Sequence, residues 1–246
     1  MDYYDMTISY SVIIPAYNEE KWLPDTLNFL KKAMEVVEAN GEIIVVDNNS
    51  TDNTAQIAKE NGARVIYEPV NQISRARNAG AKIAKGQYLI FLDADTILPL
   101  DLLQTALFNL STGMCCGGGV VVATDKTLRP FVQKIVDFWN WLSVKFGLAA
   151  GCFIYCFKEG FEAAGGFSEL VYAGEEIFFS HSLKSWGRKR GLAFRIILNP
   201  PAITSIRKIE WFTIYQMTVR ILFILVFPFA IRFRIFCSPW YYRPKE

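Results

Sequence analysis

Short apolar runs alternate with stretches of helical spacing over the first 95 residues of the chain. Leu23, Leu27 and Leu30 recur at the three- and four-residue intervals of a helix that buries one face. Gly62 and Gly86 follow two further helical segments, at the position where glycine commonly ends a helix. The predicted strands cover 11–15, 42–47, 64–67 and 87–93, and the predicted helices cover 23–37, 52–61 and 74–85. This alternation with short connections predicts an α/β fold whose mainly parallel sheet is flanked by helices.

The middle of the chain is less regular. A glycine-rich run at 117–123 and an apolar run at 151–157 predict two more strands, and the pattern of 175–186 predicts a helix. Another helix is predicted over 129–146, because its apolar residues recur on one face. That face consists of Phe131, Ile135, Phe138, Trp139 and Leu142.

The last part of the chain differs from the rest in composition. Residues 207–246 contain seven Lys or Arg and two Asp or Glu, a net charge of +5, whereas the whole chain has a net charge of +2. Trp211–Cys237 is strongly apolar, but arginines and a proline interrupt it. Its uncharged apolar run, 221–231, is shorter than the ~20 residues of a spanning helix. This apolar, basic tail predicts peripheral contact with an anionic membrane, and its interface residues would be Trp211, Trp240, Tyr241 and Tyr242. The alternative is that its aromatic residues pack on the domain.

Composition narrows the class of protein. The chain has 246 residues, of which 52% are hydrophobic, and this suits one large domain with an appendage. A basic tail on a slightly acidic body argues against a general nucleic-acid binder. Five cysteines without paired Cys-x-x-Cys units predict reduced thiols. The N-terminus shows no secretory signal, so we expect a cytoplasmic protein on the cytoplasmic face of the membrane.

Two carboxylates follow the predicted strand 87–93 directly. Asp93 and Asp95 are separated by one residue, and open α/β sheets bind ligands at the carboxyl ends of their strands. Carboxylate oxygens are the ligands that Mg²⁺ and Mn²⁺ prefer, often together with phosphate oxygens. The pair therefore predicts a site for a divalent cation, although a polar turn would also explain two aspartates here.

Polar residues also follow the other predicted strands. The first strand is followed by Tyr17 and Glu19, the second ends in Asp47, and the third helix carries Arg75 and Arg77. Together with the two aspartates, these groups could surround a nucleotide, with carboxylates for the base or ribose and arginine for phosphate. No single group is decisive, but the order and spacing of all of them are specific.

With these motifs, the chain resembles the family 2 glycosyltransferases, which are inverting, nucleotide-sugar-dependent enzymes of the GT-A fold. The resemblance covers about residues 10–208. It rests on SVIIPAYNEE at 11–20, VVDNNSTDNTA at 45–55, ARNAGAKIAKGQYLIFLDADT at 76–96 and GGFSE at 165–169. Glu175 and Glu176 stand where the family carries an acidic pair. The implied organisation is a GT-A domain over 1–208 and an amphipathic, membrane-proximal segment over 209–246, the domain having a nucleotide-binding half at about 10–96 and an acceptor half at about 97–208.

The resemblance implies roles for individual residues. Glu176 would be the catalytic base, with Glu175 beside it, and two adjacent carboxylates should raise at least one pKa. Asp95, helped by Asp93, would hold Mn²⁺ or Mg²⁺. The residues implied to contact the nucleotide are Pro15, Tyr17, Glu19, Asp47, Arg77, Asp93 and Arg207. The reaction would move a sugar from a nucleoside-diphosphate sugar to an acceptor hydroxyl by one displacement, with inversion.

The chain departs from the family pattern in three places. The acidic pair is Glu-Glu where Glu-Asp is common, Ser182 replaces an arginine six residues after the base, and the Gln-x-x-Arg-Trp signature of processive members is absent. We therefore expect one sugar per encounter. His181 is the only histidine, and its apolar neighbours favour a structural role over metal binding.

Other classes of function remain open from the sequence. A sugar nucleotidyltransferase would need a glycine-rich, basic loop after the first strand, which is absent from 15–19. A non-catalytic nucleotide-sugar-binding protein at a membrane surface would be expected to lose Asp95 or the acidic pair, and both are present. A membrane-surface scaffold would explain the tail but not the polar residues that follow the strands. No motif in the sequence identifies the acceptor, although the tail is compatible with a lipid-linked or membrane-proximal acceptor.

Overall fold

Within the described residues, an eight-stranded sheet carries a hydrophobic core on each of its faces. The computed structural model describes residues 8–207, 211 and 214–242. The strands are β1 (Tyr10–Ala16), β2 (Gly41–Asp47), β3 (Arg64–Tyr67), β4 (Tyr88–Leu92), β5 (Thr96–Ile97), β6 (Cys115–Thr124), β7 (Phe153–Phe157) and β8 (Ala193–Thr204). The helices are α1 (Leu23–Glu35), α2 (Thr54–Glu60), α3 (Ile73–Ile83), α4 (Leu100–Ser111), α5 (Pro130–Phe146), α6 (Lys158–Ala163), α7 (Glu175–Arg188), α8 (Ile214–Val226) and α9 (Ser238–Tyr241), with a 3₁₀ segment at Pro228–Arg232.

The sheet is mostly parallel, as predicted, and its order is β3-β2-β1-β4-β7-β6-β8-β5. β1 pairs in parallel with β2 and β4, and β2 pairs in parallel with β3. β7 is antiparallel to β4 and to β6, whereas β6 and β8 are parallel. The carboxyl ends of β1, β2 and β4 therefore lie at one edge, called here the carboxyl edge, and β7 begins beside the end of β4.

The predicted elements of the first 95 residues match the observed ones closely. The strand predicted at 11–15 runs over Tyr10–Ala16, and the helix predicted at 74–85 runs over Ile73–Ile83. The sequence analysis did not identify α4, α6 or the 12-residue strand β8. The predicted domain boundary at 208 and 209 falls outside the described residues.

The core follows from the alternation of side chains along the strands. Val12 and Ile14 point to the face covered by Leu27 and Leu30 of α1, whereas Ile13 points to the opposite face. Both faces of the central strands are therefore buried, which explains why these strands appear as continuous apolar runs in the sequence. The five cysteines lie in the described part of the chain, are buried and form no disulfide, as predicted.

Most of the apolar face of α5 lies outside both cores, and Trp139 is the member of that face that packs against one of them. Val132 and Ser143 are the buried residues of this helix. Phe131, Ile135 and Phe138 are instead 61%, 47% and 58% exposed. An apolar helical face normally packs on the domain, so this exposed face needs a separate explanation.

The end of the tail packs against the domain. The Tyr172 N–H donates to the Ile231 carbonyl at 2.7 Å, and Cys237 and Tyr241 are buried in a small cluster with Ala173. The prediction that Tyr241 faces a membrane is therefore wrong, and the alternative of packing on the domain holds for this segment. None of the helices in the described part of the chain has both the length and the apolar character needed to cross a bilayer.

Candidate active site

Arg77 is the central cation at the carboxyl edge. Helix α3 carries it, and its side chain is only 2% exposed. Nη2 donates to Asp93 Oδ1 and to the Gly151 carbonyl, both at 2.9 Å, while Nη1 donates to Glu175 Oε1 at 2.7 Å. One guanidinium thus joins the end of β4 to the start of α7, two segments that are far apart in the sequence.

Neighbouring charges and burial shift the pKa of Arg77 in opposite directions. Burial alone would lower its pKa, but the negative charges of Asp93, Glu175 and Glu176 outweigh burial and raise it. Arg77 is therefore permanently charged and does not lie in a solvated position on its helix. It is buried behind the cleft and organises the carboxylates.

A second buried arginine holds the other strand-end carboxylate. Arg207 follows β8, is 3% exposed, and makes a two-pronged contact with Glu19. Its Nη2 also lies 2.8 Å from Asp95 Oδ2. Burial would lower the pKa of Arg207, but Asp95 and Glu19 raise it overall. Arg207 thus lies beside Asp95, and Glu19 holds it there.

The acidic pair begins helix α7, directly after Gly174. That glycine has a φ of +74°, a backbone conformation that favours glycine. Glu175 is buried and paired with Arg77, whereas Glu176 is half-buried. Burial, with the neighbouring charge of Glu175, raises the pKa of Glu176 to about 8. Of the two glutamates, Glu176 is therefore one whose pKa is raised, as expected for adjacent carboxylates.

A cleft at the carboxyl edge brings together most of the implied nucleotide and metal residues. Of those residues, Pro15, Tyr17, Glu19, Asp93, Asp95 and Arg207 line it. The remaining lining residues are Ala16, Asn48, Asn71, Ile73, Ala94, Trp240 and Tyr241. Asp47 and Arg77 are not among these lining residues.

Asp47 caps the loop that follows β2. Its Oδ1 accepts a hydrogen bond from the Ser50 N–H at 2.9 Å, and its neighbour Asn48 reaches the cleft instead. The Asn48 side chain donates to the carbonyls of Glu68 and Val70, which fixes the segment leading into α3. Asp47 thus has a local structural contact in addition to its implied role.

Four residues of the cleft lie outside the motifs quoted in the sequence analysis, namely Asn71, Ile73, Trp240 and Tyr241. The Ile73 N–H donates to the Tyr241 hydroxyl at 3.4 Å, and Arg234 donates to Asn71 Oδ1. The aromatic residues were assigned to a membrane interface because their local sequence is apolar and basic. They come to the cleft only through folding, since Tyr241 is 168 residues from Ile73, and no local pattern could have revealed the contact.

The sequence analysis also singled out Trp211 and His181. The ring of Trp211, assigned to the interface, has its centroid 5.3 Å from the guanidinium carbon of Arg207. His181 is exposed on the outer face of α7, although Phe179 and Leu183 nearby are buried. His181 is therefore not part of the core, and its structural rather than metal-binding role stays a prediction.

Asp93 and Asp95 have the chemistry of ligands for a hard divalent cation. Both offer carboxylate oxygens to the cleft, and the Asp93 side chain is 27% exposed. No group of three His, Cys, Asp or Glu side chains suited to a metal occurs among the described residues. The two aspartates therefore fit a cation that takes its remaining ligands from phosphate oxygens and water, as Mg²⁺ commonly does.

The fold resembles that of solved glycosyltransferases. Staphylococcus aureus TarS 1–349 in complex with UDP superposes with a TM-score of 0.65 at 17% identity, covering 81% of this chain and 61% of that one. The mannosyltransferase PcManGT from Pyrobaculum calidifontis, in complex with GDP-Man and Mn²⁺, gives a TM-score of 0.60 at 24% identity, covering 82% and 58%. The mostly parallel sheet with flanking helices is thus a GT-A fold.

The sequence comparison defines the family. The family model for glycosyl transferase family 2 matches residues 11–164, more than half of the chain. The chain belongs to this family. Glycosyltransferase GlyG of Streptococcus pneumoniae is 34% identical over 102 residues, which are 39% of this chain and 33% of GlyG. The chain thus matches about a third of the length of this relative, and family membership supports a sugar-transfer function.

Proposed function

We propose that the chain is an inverting glycosyltransferase that moves one sugar per encounter from a nucleoside-diphosphate sugar to an acceptor hydroxyl. The observation that carries this proposal is the linkage of the two reacting sides of the site by Arg77. On one side Asp93 ends β4 within the cleft, and on the other Glu175 and Glu176 begin α7. Asp93, on the side of the nucleotide sugar, and the base on α7 are thereby held at fixed positions relative to each other. A direct displacement requires such fixed positions.

The donor nucleotide would occupy the cleft. Tyr17 and Pro15 would form one wall, and Asp47 would contact the base or ribose after adjustment of its loop. Asp93 and Asp95 would hold Mn²⁺ or Mg²⁺, which when bound offsets the negative charge that develops on the leaving diphosphate. Arg207 would add positive charge beside the diphosphate, because Glu19 already holds its guanidinium at the cleft.

Glu176 would act as the catalytic base. A pKa of about 8 gives the carboxylate enough basicity to take a proton from an acceptor hydroxyl near neutral pH. Glu175 raises that pKa and is itself held by Arg77, so its role is to position and tune the base. One displacement with a base on the acceptor side produces inversion at the anomeric carbon.

The proposed acceptor is lipid-linked or lies close to a membrane. The tail supports this proposal because Phe227, Phe229, Phe233 and Ile235 are exposed beside basic residues. Such a surface suits peripheral contact with an anionic cytoplasmic membrane face.

The direct test of this function is an assay of nucleoside-diphosphate release against a panel of nucleotide sugars, with Mn²⁺ and with chelator. We expect one donor class to be turned over in the metal-containing reactions only. Calorimetry with UDP and GDP provides the accompanying binding measurement, in which Asp95→Ala should abolish the gain in affinity from Mn²⁺. Tight donor binding without turnover for any donor and acceptor would indicate a non-catalytic nucleotide-sugar-binding protein instead.

A further inference from the structure

The outer face of α5 carries a continuous apolar stripe. Phe131, Ile135 and Phe138 follow one another at intervals of four and three residues, so they lie on one side of the helix. Their exposed fractions are 61%, 47% and 58%, and Trp141 continues the stripe at 50%. Contiguous exposed apolar surface of this kind marks an interaction site more often than isolated exposed residues do.

Lysine side chains belong to the same surface. Phe138 stacks on Trp141 with ring centroids 5.8 Å apart, and Lys145 Nζ lies 4.4 Å from the Trp141 centroid. Helical spacing places Lys134 and Lys145 within or beside the stripe, whereas Asp137 falls on its flank. The ammonium groups can therefore reach outward past the rings, in the manner of lysines at a membrane–water interface.

The position of α5 connects this surface to the active site. Just before the helix, Asp125 Oδ1 accepts a hydrogen bond from the Ile206 N–H, next to Arg207. Just after the helix, the Gly151 carbonyl accepts from Arg77. Both ends of the α5 segment are thus attached to the network that surrounds the cleft.

We propose that the α5 stripe docks on the surface of an anionic phospholipid bilayer and holds the active site beside the headgroups. Charge complementarity selects this partner, because residues 125–146 carry four Lys or Arg and two Asp. Aromatic rings with lysines interleaved are typical of an interfacial helix, whereas the core of a protein interface is depleted of lysine. The proposal concerns a surface distinct from the tail and does not depend on which sugar, or any sugar, is transferred.

Flotation with vesicles tests the proposal on the intact chain. The vesicles contain phosphatidylcholine alone or with phosphatidylglycerol, and no nucleotide is added. We expect the wild type to float with the anionic vesicles. Phe138→Glu should lower the partition coefficient by about tenfold or more, because a ring that would enter the bilayer is replaced by a charge. Phe108→Glu is the matched control, since Phe108 is 66% exposed on α4, and it should float like the wild type.

Further measurements separate docking by the stripe from binding by the tail, from unfolding of the variant and from dimerisation. Lys145→Glu reverses a charge beside the stripe and should weaken binding to anionic vesicles. Phe229→Glu measures the contribution of the tail separately. Circular dichroism should show that Phe138→Glu remains folded, because Phe138 is exposed. Equal flotation of Phe138→Glu and the wild type would overturn the proposal. A lipid-free dimer that Phe138→Glu converts to a monomer would also overturn it, because the stripe would then bind a second copy of the chain.

Discussion

At the scale of residues, two buried arginines organise the site. Arg77 holds Asp93 and Glu175, and Arg207 holds Asp95 and Glu19. A buried charge is costly unless it is paired and hydrogen-bonded, so each arginine and its carboxylates depend on one another. The carboxylates at the cleft thus have fixed positions before any ligand arrives.

Replacing Arg77 should destabilise the fold. Arg77→Met leaves Asp93 and Glu175 without their cation, and loss of one partner of a buried ion pair costs about 3–5 kcal/mol. Urea unfolding should register that loss in the free energy of unfolding. Arg75→Met is the matched control on the same helix, because Arg75 is 37% exposed and exposed ion pairs contribute about 0–1 kcal/mol. Similar losses for the two variants would contradict the role given to Arg77.

The raised pKa of Glu176 should determine two pH profiles. The base must be deprotonated to work, so turnover should rise with pH up to about 8. Between the ordinary value of 4.5 and about 8, the folded protein keeps a proton that the unfolded chain has lost. The free energy of unfolding should therefore fall as pH rises through this window. Glu176→Gln should remove that pH dependence of stability, and its persistence in the variant would assign it to another group.

Sequence reasoning was most successful for residues that belong to local motifs. Asp93 and Asp95 follow an apolar strand, and Glu175 and Glu176 start a helix, so their chemistry is visible within a few positions. The pairing of Arg207 with Glu19 is different, because the two residues are 188 positions apart. The buried state of Arg77 was equally hidden, since its helix resembles any amphipathic helix whose charges face solvent.

At the scale of elements, the tail segment around α9 forms part of the cleft. Trp240 and Tyr241 line it together with Pro15 and Tyr17 from the end of β1. The segment is held by Arg234, which donates to Asn71, and by the contact of Tyr241 with Ile73. A short helix distant in sequence thus completes a wall of the site.

Trp240→Ala should weaken donor binding. An aromatic ring against a nucleotide base contributes about 1–3 kcal/mol, so the dissociation constant for the nucleotide should rise by about tenfold. Calorimetry with the preferred nucleoside diphosphate and Mn²⁺ measures this change. Tyr242→Ala is the control, because Tyr242 is an aromatic residue two positions after Trp240, is 49% exposed and does not line the cleft. An unchanged affinity in Trp240→Ala would mean that the nucleotide does not reach this wall.

Elements were predicted best where buried strands alternate with amphipathic helices. The helices α1 and α3 have clear apolar faces, and β1, β2 and β4 are continuous apolar runs because both of their faces are covered. β8 was missed because its exposed and half-buried residues lack a simple period. For α5, the apolar face was recognised, but periodicity alone does not distinguish a face that packs on the core from one that meets another surface.

At the scale of the whole molecule, one sheet presents its carboxyl edge to the cleft, while exposed apolar residues occur on α5 and along the tail. The mainly parallel topology could be predicted because its alternation of elements is local. The return of the tail to the cleft could not be predicted, because it depends on contacts of Arg234 and Tyr241 with Asn71 and Ile73, which are distant in the sequence.

The tail itself should bind membranes reversibly. We expect the wild type to float with anionic vesicles and to be released by a carbonate wash, because the apolar run 221–231 is shorter than the ~20 residues of a spanning helix and arginines lie close to it. Phe229→Glu should reduce flotation, since Phe229 is 59% exposed. Resistance to carbonate would indicate an integral segment instead.

The proposed sugar transfer with Glu176 as the base is tested most directly by an isosteric substitution. Turnover of the preferred donor is compared between the wild type and Glu176→Gln, with the dissociation constant of the donor measured in parallel and Glu175→Gln as the neighbouring variant. We predict that Glu176→Gln lowers turnover by at least about 10²-fold while donor affinity is preserved. Unchanged turnover in Glu176→Gln, or the full loss in Glu175→Gln alone, would contradict the account.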